Sequence, residues 1–171
     1  MVAEDCIVKI GIISDTHDRL SRTRYAVQLL AARGAELLVH CGDWMGPDIL
    51  AECSALPLYF VFGNNDSDTV PDLRKAAAEY GATCLEWGGE FTVQETRIAV
   101  AHGHLTSDLR PLLKAQPQYL LSGHSHLRHD WQDGPVRRIN PGALHRASEF
   151  TVALLDLESR DVEFLSIPKH A

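Results

Sequence analysis

The sequence holds nine histidines, and most of them stand beside Asp, Asn or Gly. With carboxylates and amides they form Asp15-Thr16-His17, Gly42-Asp43, Gly63-Asn64-Asn65-Asp66, His102-Gly103-His104 and Gly123-His124-Ser125-His126. Carboxylate, imidazole and amide oxygen together suit a borderline divalent cation such as manganese, iron, cobalt, nickel or zinc. The cysteines, Cys6, Cys41, Cys53 and Cys84, form no C-x-x-C pair and stand outside the metal-type pairs, which argues against a structural zinc ribbon. D-x-H and H-x-H place two donors two residues apart. In extended chain past a strand such residues point to one side and can share a site, or serve two sites a few ångströms apart.

Each cluster alone also has a plain structural reading. Asp15-Thr16-His17 could be a turn or a helix cap. Gly42-Asp43 is ordinary turn chemistry. Gly63-Asn64-Asn65-Asp66 reads as a loop with left-handed residues. The two histidine-rich clusters carry more weight, because histidine is scarce and here it is paired. His40, inside a predicted strand, reads as a satisfied core histidine. Trp44 and Met45 could line a pocket or pack. Asn140 could orient a ligand from behind, and His145 could face the cleft. Arg110, Arg128, Arg137 and Arg138 read as solvated surface.

The clusters need elements to position them. Short apolar runs alternate with helical patterns early in the chain, as in α/β layering. Strands are predicted at 7–14, 36–41 and 57–62, with helices at 20–33, 47–53 and 71–80. The second half is richer in strands, at 83–87, 90–95, 97–101, 118–122, 129–132, 136–140, 150–156 and 161–166. One helix is predicted at 107–114, begun by a Ser107 cap, and Gly88-Gly89 reads as a tight turn. Two sheets packed face to face with helices outside, a four-layer αββα sandwich, account for both halves. Every polar cluster directly follows a predicted strand, and ligands of layered α/β proteins bind outside the carboxyl ends of strands.

The bulk properties agree. A chain of 171 residues fits one domain, with residues 1–171 forming a single unit. Its net charge of −7 argues against an extended nucleic-acid surface, which needs a basic face. No secretory or membrane-spanning pattern is visible, so a cytoplasmic location is expected, with the cysteines as small buried hydrophobes. The apolar stretch around Trp87, Phe91 and Val93 could be a sheet edge or the face of a homo-oligomer.

The series D-x-H, G-D, G-N-x-D, H-G-H and G-H-S-H, in that order, resembles the calcineurin-like metallophosphoesterase superfamily. The short chain and Ile139-Asn140-Pro141-Gly142 resemble its small, single-domain bacterial and archaeal phosphodiesterase branch. The resemblance runs from about residue 7 to 167. It implies two divalent metal ions, manganese first among them, with iron, nickel, zinc or cobalt as alternatives. Asp15, His17, Asp43 and His126 would hold the first metal. Asp43, Asn64, His102 and His124 would hold the second, with Asp43 as the bridge. His102, the first residue after its strand, is the expected ligand, and His104 is expected either to support a ligand from behind or to contact the phosphate.

The implied function is hydrolysis of a phosphodiester in a small molecule, by in-line attack of a metal-bridging hydroxide, with Asp43, Asn64 and His104 as the catalytic residues. Two cations about 3.5–4 Å apart activate such a water and clamp the phosphate oxygens. One position departs from much of the superfamily. Many members carry histidine after the G-N pair, as acid for the leaving group, where this chain has Asn65, and an amide is no proton donor of that kind. The competing expectation is a metal-binding interaction platform, since a retromer subunit uses this fold that way.

Overall fold

The computed structural model describes residues 8–171. Cys6 and Ile7, the start of the first predicted strand, lie outside the described residues. Eleven strands and four helices follow in chain order: β1 (Lys9–Ile13), α1 (Leu20–Ala32), β2 (Leu37–His40), α2 (Pro47–Cys53), β3 (Leu58–Phe60), α3 (Val70–Tyr80), β4 (Thr83–Cys84), β5 (Gly88–Val93), β6 (Thr96–Ala101), α4 (Thr106–Lys114), β7 (Tyr119–Leu121), β8 (His129–Asp133), β9 (Val136–Asn140), β10 (Phe150–Asp156) and β11 (Val162–Ile167).

The strands form two sheets, ordered β11-β10-β1-β2-β3-β4 and β5-β6-β7-β9-β8. Strands β1 to β4 run parallel. In the second sheet β6, β7 and β9 run parallel between antiparallel edges. Side-chain alternation builds the layers. Ile10 and Ile12 of β1 face the second sheet, where they meet Ile98, Val100, Leu121 and Ile139 in a buried core. Ile13 and Leu38 face the other way, into a second core with Ala26 and Leu30 of α1, Leu50 of α2 and Leu73 of α3. On the far side Leu109, Leu112 and Leu113 of α4 cover Ala99 and Leu120. The result is the expected four-layer αββα sandwich.

Three local expectations are corrected. Gly88-Gly89 is not a turn: both residues pair with β6, opposite Ala101 and Val100. The turn falls earlier, where the Gly88 amide bonds the Leu85 carbonyl as the chain crosses between sheets. Ser107 does not cap α4: the helix begins at Thr106, Leu105 is its cap, and no side chain caps it. Instead the Ser107 hydroxyl donates to Asp108 Oδ1 at 3.2 Å. The residues 63–66 carry no left-handed backbone.

Phe91 turns inward from the edge strand β5 and stacks on Tyr59 with ring centroids 4.0 Å apart. Cys41 and Cys53 are fully buried, while Cys84 is half-buried, and these three are free thiols. Among the described residues no helix is long and apolar enough to cross a membrane.

Candidate metal centre

The five clusters follow β1, β2, β3, β6 and β7, and the structure brings their side chains to one rim. Asp15 Oδ1 lies 3.0 Å from His126 Nε2 and 3.9 Å from His17 Nε2. Asp43 lies between two histidines: Oδ2 is 3.3 Å from His17 Nε2, and Oδ1 is 3.5 Å from His102 Nε2. Asn64 Oδ1 is 3.1 Å from the same His102 nitrogen. His124 sits at the exposed rim, its ring 5.2 Å from that of His102. His104 is 5.4 Å from His102 and 6.1 Å from His124. Donor atoms of Asp15, His17 and His126 form one compact group, and those of Asp15, Asp43 and His102 form another.

The route to this convergence differs from the expected one. The D-x-H and H-x-H segments are not extended. Asp15, His17, Asp43, His124 and His126 all adopt positive φ, between 43° and 68°. Such a backbone costs a non-glycine residue roughly 1–3 kcal/mol, and it is found where the surroundings over-determine the position, typically at functional sites. Here the surroundings are visible. Asp66 is buried, and its carboxylate accepts from the amides of Asp43, Trp44, Met45 and Gly63 at 2.7–3.1 Å, which locks the loop after β2. His40 accepts from the Gly42 amide at 3.1 Å and lies 3.1 Å from the Thr16 hydroxyl. Its partners assign Nε2 as the donor. Burial pushes its pKa down to about 3, so it acts as a neutral strut.

Asn140 donates to the Gly123 carbonyl at 2.7 Å and to the Ser125 hydroxyl at 3.0 Å, pinning the loop that carries His124 and His126. Trp44 is fully buried, stacks on His40 and donates to the Val61 carbonyl, so it is packing. Arg128, Arg137 and Arg138 pair with Glu149, Asp130 and Asp133.

Several supports were not legible in the sequence. Ser14 donates to Asp15 Oδ2 at 2.6 Å, and the His124 amide bonds the same oxygen at 3.1 Å. His102 Nδ1 sits 2.7 Å from the Cys41 carbonyl, and His126 Nδ1 sits 3.2 Å from the Arg146 carbonyl. A carbonyl only accepts, so each Nδ1 carries the proton and each Nε2 is left to face the cluster. Backbone partners leave no residue-type signal. Only the adjacency of Ser14 to Asp15 could have been noticed. His145 does reach the cleft, its ring 4.8 Å from His17, with Arg19 Nε donating to it at 3.2 Å.

These residues fit a divalent cation. Asp15 Oδ1 and His17 Nε2 are buried and make no well-formed hydrogen bond, although histidine and carboxylate atoms face them at 3.0–3.9 Å. His102 Nε2 and Asn64 Oδ1 point lone pairs at each other unless a proton or a metal stands between them. The electrostatics agree. Burial opposes charge on His17, but the adjacent carboxylates of Asp15 and Asp43 outweigh it and raise its pKa to about 9. His102 is raised despite burial, chiefly by Asp43, and His126 is raised by its bond to Asp15. Burial works against the charge of Asp15 and Asp43 too, yet the histidines hold both carboxyls well below the usual range.

The folded His17 pKa lies above the unfolded value of about 6.5, so its stabilisation of the metal-free chain is complete below pH 6.5 and is lost as pH rises through about 9. Metal needs the neutral imidazole, so loading at pH 7 releases at least one proton, and apparent affinity rises from pH 7 to about 9. Calorimetry in two buffers of different ionisation enthalpy counts the protons. A count near zero would contradict a cluster of charged histidines.

Nitrogen and oxygen donors at the strand ends of a two-sheet sandwich, with Asp15, Asp43 and His102 buried and His124 at the exposed rim, fit the class of metal-dependent hydrolases. Comparison places the chain within it. A model of the calcineurin-like phosphoesterase superfamily domain matches residues 8–160, and this chain belongs to that family. It is 34% identical over 169 residues to a probable metallophosphoesterase of Methanothermobacter thermautotrophicus, covering 91% of each chain. It is 26% identical over 159 residues to a phosphodiesterase of Methanocaldococcus jannaschii, covering 90% of this chain and 96% of that one. Among solved structures, an archaeal phosphodiesterase superposes with a TM-score of 0.84 at 26% identity, covering 93% of this chain and 99% of the other. The E. coli phosphoesterase Yfce gives 0.70 at 20% identity, a likeness of fold.

Proposed function

We propose that this protein is a dinuclear phosphodiesterase acting on small phosphodiesters. Asp15, His17, Asp43 and His126 hold one divalent cation, and Asp43, Asn64, His102 and His124 hold the second. Manganese is the cation that the family resemblance puts first, and iron, cobalt, nickel or zinc suit the same nitrogen and oxygen donors. The observation that carries this reading is the place of Asp43, whose two oxygens face His17 and His102 on opposite sides. Bound cations would supply an activated water and neutralise charge on the phosphate.

The chain's own residues do the positioning. The Nδ1 bonds of His102 and His126 fix which nitrogen faces inward. Asn65 grips Asp43, its amide donating to Oδ1 at 3.0 Å and its side chain to Oδ2 at 2.6 Å. His104, beside both His102 and His124, contacts the phosphate or the leaving oxygen.

The test is hydrolysis of bis-p-nitrophenyl phosphate and p-nitrophenyl phosphate by metal-stripped protein, with manganese, nickel, zinc or magnesium added back. Metal-restored cleavage with the diester preferred is expected. Folded, metal-loaded protein that cleaves no phosphoester would overturn the reading in favour of a binding role. Asn65→His should raise turnover of diesters with poor leaving groups by roughly tenfold or more, since a placed acid contributes about 10²–10⁴. No gain with an alkyl leaving group would show that the proton comes from elsewhere.

A further inference from the structure

Beside His102 and His124 opens a pocket of about 380 Å³, walled by Asn64, Ser67, Trp87, His104, Leu105 and Asp108. Small-molecule sites span about 300–1,000 Å³. Asn64 belongs to both the pocket and the proposed ligand set, and His104 lines the pocket beside His102 and His124, so an ester group projecting from a phosphate held there enters this space. Trp87 is fixed from behind by an edge contact with Phe62, ring centroids 5.4 Å apart, and is only half-buried. Leu105 is 47% exposed, a large apolar side chain held at the rim in extended backbone just before α4. Asp108 contributes a carboxylate, and none of the six is Lys or Arg. A second hollow of about 330 Å³ continues past Trp87 and Asp108 toward Pro111 and Leu112.

We propose that this pocket selects the organic group of the diester, and that the group is a flat, uncharged aromatic ring of the nucleobase kind. The indole stacks on the ring and Leu105 bounds its edge. Asp108 accepts hydrogen bonds from ring amino groups and repels an anionic substituent. An alkyl chain would offer no donor to Asp108 beyond the Ser107 hydroxyl it already accepts from, and a second phosphate would meet no cation among these six residues. The proposal rests on the phosphodiesterase reading, and deepens it.

The experiment compares adenosine 5′-monophosphate with ribose 5-phosphate on the manganese-loaded full chain. Both are measured as inhibitors of bis-p-nitrophenyl phosphate hydrolysis and by tryptophan fluorescence. The nucleotide should bind at least about tenfold tighter and quench fluorescence, in line with the effect of losing one base-stacking aromatic. Trp87→Ala should erase that advantage while leaving the ribose 5-phosphate constant unchanged. Leu105→Asp, at an exposed position, should weaken nucleotide binding without touching the core. Equal binding of the two phosphates, or tighter Trp87-dependent binding of phosphocholine, would overturn the proposal while hydrolysis stands. Absence of hydrolysis would instead strike the phosphodiesterase reading, and the fluorescence titration would still report on the pocket.

Discussion

Asp43→Asn is expected to lower diester hydrolysis by on the order of 10³-fold or more, equivalent to about 4 kcal/mol of lost transition-state stabilisation. Asp43 is 2% exposed, and its two carboxylate oxygens face His17 and His102, one on each half of the proposed ligand set. An amide keeps the shape but removes the charge and one acceptor. On the proposed dinuclear reading each half retains its other donors, so metal content should fall from two ions per chain to one rather than to none. The Asn65 contacts would have to rearrange, because the side chain of Asn65 now donates to Oδ2 at 2.6 Å. In the metal-free chain the His17 pKa should return toward its ordinary value, since Asp43 is one of the two carboxylates that raise it. Metal analysis, turnover and thermal unfolding on the same preparation separate these effects. A variant that keeps two metals and full turnover would contradict the bridging role.

Gly63→Ala should do comparable harm by a different route. A Cβ at this position would stand 2.1 Å from Asp43 Oδ1 and 2.4 Å from the Asp43 amide nitrogen. The first atom could swing away only by leaving the cluster, and the second is backbone and cannot. The same glycine donates its own amide to Asp66 Oδ2 at 2.7 Å, so the strain reaches the lock on the loop after β2. Overpacking of this kind costs about 1–3 kcal/mol, and the melting temperature should drop accordingly. Activity should fall nearly as far as in Asp43→Asn, because the displaced carboxylate is the same one. Gly81→Ala is the contrasting control. Its φ of +68° strains any side chain, but nothing lies within 4 Å of the new atom and the metal cluster is elsewhere. That variant should lose about 1 kcal/mol of stability and keep its activity.

Much of this site is legible in the residues. Asp15, Asp43, Asn64, His102 and His124 each fall within four residues of the end of a strand whose apolar run marks it, so the chemistry and its anchoring are read together. The layers are legible for the same reason: Ile10 and Ile12 alternate with Gly11 and Ile13, and period-two patterning assigns faces. Gly88-Gly89 misled because glycine pairs mark turns by composition. Here φ is not positive at either residue, and the pair lies flat against β6.

What the sequence alone determined is the candidate donor set, its order along the chain and the class of cation those residue types suit, because those follow from side-chain chemistry and local periodicity. It also determined that the donors sit past strand ends. Only the tertiary structure decided that β1, β2 and β3 of one sheet and β6 and β7 of the other aim at a single rim, since register and sheet order are long-range pairings. It alone showed the left-handed backbone at Asp15, His17, Asp43, His124 and His126, which no residue type there announces. It alone supplied the carbonyls of Cys41 and Arg146, because every residue carries a carbonyl and only folding selects which one meets a histidine.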